Sequence, residues 1–175
     1  MMKLPVSRKK SIFRNLYPRE FSRSAYTIDY EGLYLWGYRG IIFDIDNTLV
    51  GHDKPATKEA VKLAARLKKI GFKLMIVSNN EEPRVKTFAD ALGAGYIFKA
   101  HKPSRDGYLK AMELMGTTKE TTVAVGDQLI TDIWGANRAG VFNIRVNPLF
   151  REEPAKIVFK RKLERIIMFF YRHER

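Results

Sequence analysis

The strongest constraint on the fold of this chain is an alternation of two kinds of segment that begins at residue 40. Short apolar runs, typical of buried strands, alternate with segments whose apolar residues recur at helical spacing. The predicted strands and helices are, in order, 40–45, 57–70, 71–78, 81–93, 94–100, 104–116, 121–127, 130–140 and 141–147. This pattern predicts an α/β fold with a Rossmann-like, doubly wound parallel sheet and helices on both faces.

Local signals support the helix boundaries. Thr57 is a plausible N-cap for the first predicted helix, and Pro83 falls in the first turn of the second. Gly93 and Gly140 stand just past the ends of two helices, where a left-handed residue commonly terminates them.

Polar residues follow the predicted strands at the points where these strands end. In open parallel sheets, ligands bind beyond the carboxyl ends of the strands, so these side chains are expected to meet at one edge. They are Asp44, Asp46, Thr48, Ser78, Asn79, Asn80, Lys102, Asp127, Thr131 and Asp132.

Carboxylates brought together at one edge repel one another unless a cation neutralises them. Oxygen-only ligands suit Mg²⁺, and Lys102 would add a fixed positive charge. Together with the hydroxyl of Ser78, these groups can hold a phosphoryl group against a carboxylate nucleophile. A second carboxylate would then protonate the leaving alcohol and activate water.

Four segments resemble, in order, the motifs of the haloacid dehalogenase (HAD) superfamily. They are DIDNT at 44–48, VSN at 77–79, HKP at 101–103 and GDQLITDI at 126–133. The resemblance covers about residues 38–147 and implies a HAD fold with phosphatase activity.

By this resemblance, each matched residue takes the role of its motif position. Asp44 would be the nucleophile and a metal ligand, and Asp46 the acid/base, with its backbone carbonyl on the metal. Asp127 would be the remaining protein ligand, and Asp132 would support the metal directly or through water. An aspartate at position 46 favours a phosphatase, because HAD dehalogenases lack it.

The remaining matched residues would serve the phosphate. Thr48 would stabilise the first loop on the phosphate-binding side, Ser78 and Lys102 would bind phosphate, and Asn79 would assist them. Weaker candidates lie nearby, each with surface exposure or packing as the alternative role: His52, Lys54, His101, Arg105 and Trp134.

The intervals between motifs are too short for the cap domain that many HAD phosphatases carry. Residues 51–77 and 79–101 each hold only one predicted helix and one strand. The chain is therefore expected to be capless, with an open site suited to large substrates such as proteins, nucleic-acid ends or lipid headgroups.

Within the superfamily, the chain most resembles the YqeG-type HAD-IIIA phosphatases. The residues that carry this resemblance are LYPREF, GYRGIIFDIDNTLV, the NN after the second motif and the terminal NPL and KRKLER. That family includes relatives of the fungal mitochondrial phosphatidylglycerophosphatase, which implies phosphatidylglycerophosphate as the substrate.

Charge and composition limit the partners and the compartment. The net charge is +13, and residues 1–30 and 151–175 contribute +5 and +4 of it. This distribution favours an anionic partner (phosphorylated substrate, anionic membrane or nucleic acid) or is simply a basic surface. No cysteine, signal peptide or apolar run of about 20 residues is present, so we expect a cytoplasmic protein, free or on the cytosolic membrane face.

The expected organisation is a basic N-terminal extension over 1–37 that packs on the domain, a core over 38–150 and a basic C-terminal helix within 151–175. Leu163, Ile166, Ile167 and Phe170 would form the apolar stripe of that helix, packed either on the domain or on a membrane surface. Two functional alternatives stay open: a protein or nucleotide phosphatase, and an RNA- or ribosome-binding module with a secondary active site.

Overall fold

The computed structural model describes residues 13–150 and 155–173. Its centre is a six-stranded, all-parallel sheet with strand order β1-β6-β5-β2-β3-β4. The strands are β1 (Glu20–Ser22), β2 (Gly40–Phe43), β3 (Lys73–Val77), β4 (Gly95–Ile97), β5 (Thr122–Gly126) and β6 (Phe142–Val146). The α/β, Rossmann-like fold predicted from the sequence is therefore confirmed.

Six α-helices accompany the sheet within the described residues. They are α1 (Tyr30–Leu35), α2 (Lys58–Ile70), α3 (Glu82–Leu92), α4 (Asp106–Met115), α5 (Trp134–Ala139) and α6 (Ala155–His173). The Thr57 side chain accepts a hydrogen bond from the Ala60 amide, as its predicted N-cap role requires. Gly93 and Gly140 end α3 and α5 in the left-handed conformation, so these predicted boundaries are also confirmed.

The central strands bury both of their faces. On β2, Ile41 and Phe43 join the core beneath α1, α2 and α3, whereas Ile42 joins the core beneath α4 and α5. Successive strand side chains point to opposite sides, so this division places one helical layer on each face of the sheet. Both faces of β2 are therefore covered where the strand leads to Asp44 at the carboxyl edge.

The region before residue 40 contains structure that the sequence pattern does not indicate. β1 adds the edge strand beside β6, and α1 packs through Tyr30 and Leu33 on the core. Asp29 caps α1 by accepting a hydrogen bond from the Gly32 amide. A three-residue strand and a six-residue helix are too short to produce a readable hydrophobic period.

Helix α6 packs on the domain, but not through the stripe expected from the sequence. Ile167 and Tyr171 are buried against Tyr17 and Ile133, so Ile167 alone of the expected stripe is buried. Leu163, Ile166 and Phe170 are exposed, so the expected stripe does not pack on the domain as a whole, and only its membrane-facing alternative stays a prediction. No helix among the described residues is long and apolar enough to traverse a lipid bilayer.

Candidate active site

The strand order explains how residues distant in sequence reach one site. β2 lies between β3 and β5, so the carboxyl ends of these three strands are adjacent. Asp44 follows β2, Ser78 follows β3, and Asp127 follows β5. The sheet edge therefore gathers the residues of three sequence motifs, as the parallel arrangement predicts.

A buried lysine joins two of the predicted carboxylates. The Lys102 Nζ donates to Asp44 Oδ1 at 2.6 Å and to Asp132 Oδ1 at 2.8 Å. The Lys102 side chain is only 3% exposed, and both carboxylates are also largely buried. Asn79 fixes the lysine loop, because its side-chain amide bonds both the backbone N–H and the carbonyl of Lys102.

Burial and neighbouring charges have opposing effects on the pKa values of Asp44 and Lys102. Burial is the main cause that raises the pKa of Asp44 to about 8; the Lys102 charge opposes this rise, and the Asp132 and Asp127 charges add to it. Burial alone would lower the pKa of Lys102, but the Asp132 and Asp44 carboxylates dominate and hold that pKa well above its ordinary value. The lysine is therefore a permanent positive charge beside a carboxyl group that resists ionisation without further cations.

The same edge holds a group of acidic ligands suited to a divalent cation. One carboxylate oxygen from each of Asp44, Asp127 and Asp132 lies within 4.8 Å of the others. Three carboxylates and one lysine carry a net charge of −2 when all are ionised, and oxygen donors match the preference of hard divalent cations. The residues present therefore fit a divalent cation.

Gly126 makes the close approach of Asp132 possible. A Cβ atom at position 126 would lie 2.4 Å from the Cβ of Asp132, well inside van der Waals contact. The glycine before Asp127 thus has a steric role, because it leaves the space that the Asp132 side chain fills.

The other predicted phosphate-side residues also lie at this edge. The buried Thr48 hydroxyl donates to Asp127 Oδ1 at 3.2 Å, so it supports an acidic ligand across the two loops. The Ser78 hydroxyl is buried and accepts the Asn80 amide at 3.2 Å, which orients its oxygen at the end of β3.

Asp46 lies outside the group of Asp44, Asp127 and Asp132 and has partners of its own. Its Oδ1 accepts hydrogen bonds from Arg84 Nη2 at 2.7 Å and from the Asp53 amide at 3.0 Å, and its Oδ2 accepts from Asn80 Nδ2 at 2.7 Å. Burial raises the pKa of Asp46, but the hydrogen bonds from Asn80 and Arg84, together with the Arg84 charge and the Asp53 amide, hold that pKa below its ordinary value. Arg84 was not predicted from the sequence, because an arginine in the first turn of a helix carries no motif signal.

The weaker candidates occupy varied positions. His52 Nδ1 lies 4.0 Å from Asp46 Oδ2, whereas His101 is exposed. Lys54 and Arg105 are exposed, although the Lys54 carbonyl accepts a hydrogen bond from Arg84. Trp134 is partly buried in α5.

Between the motif residues, the chain forms only elements of the sheet and its helical layers. Residues 51–77 contain α2 and β3, and residues 79–101 contain α3 and β4. Residues 13–150 are described without a break, and within them no inserted domain stands over the carboxyl edge.

Comparison with known proteins identifies the family of the chain. A model of haloacid dehalogenase-like hydrolases matches residues 51–140, which include Ser78, Lys102, Asp127 and Asp132. The chain is 41% identical over 152 residues to the probable phosphatase YqeG of Bacillus subtilis, covering 86% of this chain and 88% of that protein.

Two further similarities are more distant. The chain is 30% identical over 150 residues to phosphatidylglycerophosphate phosphatase 1 of Chlamydomonas reinhardtii, covering 78% of this chain and 55% of that protein. A cobalt-bound octulosonate 8-phosphate phosphatase from Haemophilus influenzae shares the fold with a TM-score of 0.51 and 15% identity, covering 65% of this chain and 81% of that one. The chain is therefore a phosphatase that belongs to the haloacid dehalogenase-like hydrolase family.

Proposed function

We propose that the protein is a Mg²⁺-dependent phosphomonoester hydrolase that works through an aspartyl-phosphate intermediate. The observation that carries this proposal is the buried group of Asp44, Lys102, Asp127 and Asp132 at the sheet edge. It offers one carboxylate for attack, one fixed positive charge and an acidic ligand set.

In the first step, an Asp44 carboxylate oxygen attacks phosphorus, and the bond from phosphorus to the substrate alcohol breaks. Lys102 and Ser78 bind the phosphoryl oxygens and offset the charge that develops on them. Mg²⁺ bound by Asp44, Asp127 and Asp132, with the Asp46 carbonyl, would supply further positive charge to those oxygens and neutralise the carboxylates.

Asp46 serves both steps in this proposal. It gives a proton to the departing alcohol oxygen, and it later takes a proton from the water that attacks the aspartyl phosphate, which releases inorganic phosphate and restores Asp44. The Asp46 carboxylate is bound by Arg84 and Asn80 in the structure, so acting as the acid requires it to leave these partners and bind a proton, which it then gives to the leaving oxygen.

For the substrate we favour phosphatidylglycerophosphate, hydrolysed to phosphatidylglycerol at an anionic membrane surface. The similarity to the Chlamydomonas phosphatidylglycerophosphate phosphatase supports this choice, as does the lack of an inserted domain over the site within residues 13–150. Helix α6 also presents exposed Leu163, Ile166 and Phe170 beside exposed Lys162 and Arg165. An apolar stripe flanked by cations suits peripheral docking on anionic lipid.

The experiment is a phosphate-release screen in Mg²⁺ with the full chain. Substrates are phosphatidylglycerophosphate in anionic vesicles, a sugar phosphate, a nucleotide and a phosphopeptide, and Asp44→Asn is the inactive control. We expect the highest kcat/KM on the lipid. A higher kcat/KM on the nucleotide or the phosphopeptide would overturn the lipid as substrate but leave the phosphatase activity supported.

Absence of Mg²⁺-dependent release from every substrate would contradict the proposed activity itself. Salt-sensitive RNA binding that Asp44→Asn leaves unchanged would then favour a binding module. The screen therefore tests the proposed reaction and the proposed substrate independently.

A further inference from the structure

The loop that carries Asp127 is held by charged side chains from outside the four motifs. The Arg145 Nε, on β6, donates to the Asp127 carbonyl at 3.1 Å. The Leu129 amide donates to Glu164 Oε1 of α6 at 2.7 Å. Two residues of one short loop are therefore fixed by two other elements of the fold.

Arg145 and Glu164 also contact each other. Arg145 Nη2 lies 3.2 Å from Glu164 Oε2, so one carboxylate bonds both the arginine and the loop. The result is a connected set of contacts, from α6 through Glu164 to Arg145 and the backbone of Asp127. We call Arg145 and Glu164 the loop clamp.

The burial of Glu164 indicates a role beyond holding α6 in place. Glu164 is 1% exposed and shares the docking face of α6 with Ile167 and Tyr171. An apolar residue would serve helix docking there without the desolvation penalty that a buried carboxylate carries. Both carboxylate oxygens are instead engaged with groups that belong to, or directly hold, the Asp127 loop.

We infer that Glu164 is a positioning residue for the metal site, which acts through Arg145 and the Leu129 amide to hold the Asp127 carboxylate in place. This inference rests on the metal site of the proposed function and extends it to a helix outside the motif region. Outer partners of metal ligands typically change metal affinity or activity by about 10- to 100-fold when mutated. The C-terminal helix is thus part of the apparatus that binds the cation.

The test is metal affinity of the full chain, measured with Mn²⁺ as the probe by EPR. Mn²⁺ shares the preference of Mg²⁺ for oxygen ligands. Glu164→Gln keeps an oxygen that can accept the Leu129 amide but loses the charge that pairs with Arg145. We expect it to raise the Kd for Mn²⁺ by about 10-fold or more.

Ile167→Ala is the matched control, because it removes a docking contact from the same face of α6 and leaves the Glu164 and Arg145 side chains unchanged. We expect it to lower stability and leave the Kd for Mn²⁺ within about 2-fold of wild type. Should Glu164→Gln fail to fold, Arg145→Lys provides the same test, since it replaces the guanidinium that bonds the Asp127 carbonyl.

The inference is overturned if folded Glu164→Gln or Arg145→Lys binds Mn²⁺ within 2-fold of wild type, or if Ile167→Ala weakens binding equally. Wild-type protein that does not bind Mn²⁺ would overturn the proposed metal site and this inference with it. Hydrogen exchange without metal adds a separate readout: in Glu164→Gln, the Leu129 amide should exchange faster than in wild type, because a neutral amide oxygen is a weaker acceptor than a carboxylate.

Discussion

Replacing Lys102 with methionine tests the electrostatic balance of the site in the metal-free protein. Lys102 is 3% exposed and contacts Asp44 at 2.6 Å and Asp132 at 2.8 Å. Removing one partner of a buried ion pair typically costs about 3–5 kcal/mol, because the remaining charge is left uncompensated. We therefore expect Lys102→Met to lower the free energy of unfolding by about 3–5 kcal/mol.

The loss of stability in Lys102→Met should depend on pH, and the structure gives the direction of this dependence. The pKa of Asp44 is raised from 3.8 to about 8, so the folded protein keeps a proton that the unfolded chain has released. Stability of the metal-free wild type therefore falls as pH rises between these two values. Without Lys102 the pKa of Asp44 rises further, and the variant continues to lose stability above pH 8. The cost of Lys102→Met should thus grow between pH 7 and pH 9.

Urea denaturation in EDTA, followed by tryptophan fluorescence, measures both effects. With a slope of about 2 kcal/mol per molar urea, the midpoint should fall by about 1.5–2.5 M. Lys110→Met is the control, since Lys110 forms an exposed pair with Glu113 at 3.0 Å and such pairs contribute about 0–1 kcal/mol. A loss at pH 9 no larger than that of Lys110→Met would refute this reasoning.

Three further predictions concern the acid/base, the cation and the C-terminal helix. Arg84→Met should raise the pKa of Asp46, so the limb of the kcat/KM pH profile that reports this group should shift to higher pH. A profile at the same pH as in wild type would contradict this. Mg²⁺ binding at pH 7 should release about one proton, because Asp44 has a pKa of about 8 without metal. Calorimetry in buffers of different ionisation enthalpy measures this release, and a binding enthalpy that is the same in every buffer would contradict it. Ile167→Ala should lower the free energy of unfolding by about 2–5 kcal/mol with kcat unchanged at saturating Mg²⁺, and a loss under 1 kcal/mol would mean that α6 docks differently.

The sequence predicts the central architecture well because its local signals agree with one another. The apolar run before Asp44 forms β2, and the helix that starts after Thr57 has the predicted cap and one buried face. Since parallel strands share a carboxyl edge, the meeting of Asp44, Lys102 and Asp132 follows from the order of the elements.

The contacts that tune the site were not predictable, because they depend on tertiary packing. Arg84 reaches Asp46 from 38 positions away, and Glu164 reaches the Leu129 amide from 35 positions away. Each connects elements whose relative placement the pattern leaves undetermined. Sequence spacing identifies the candidates for catalysis, but not the side chains that hold them.

The face by which α6 packs on the domain also depends on tertiary contacts. Its apolar residues form two overlapping faces, and the predicted stripe of Leu163, Ile166, Ile167 and Phe170 shares only Ile167 with the face that packs. The packed face includes Glu164, whose charge appears unsuitable for burial until Arg145 and the Leu129 amide are placed beside it.

The most direct test of the central claim is chemical trapping of the intermediate on Asp44. The full chain, mixed with a turnover substrate and Mg²⁺, is quenched and treated with borohydride, which reduces an aspartyl phosphate to homoserine. Peptide mass spectrometry should find homoserine at position 44 in wild type and none in Asp44→Asn. Steady phosphate release with unmodified Asp44, or with modification at another aspartate, would contradict the account.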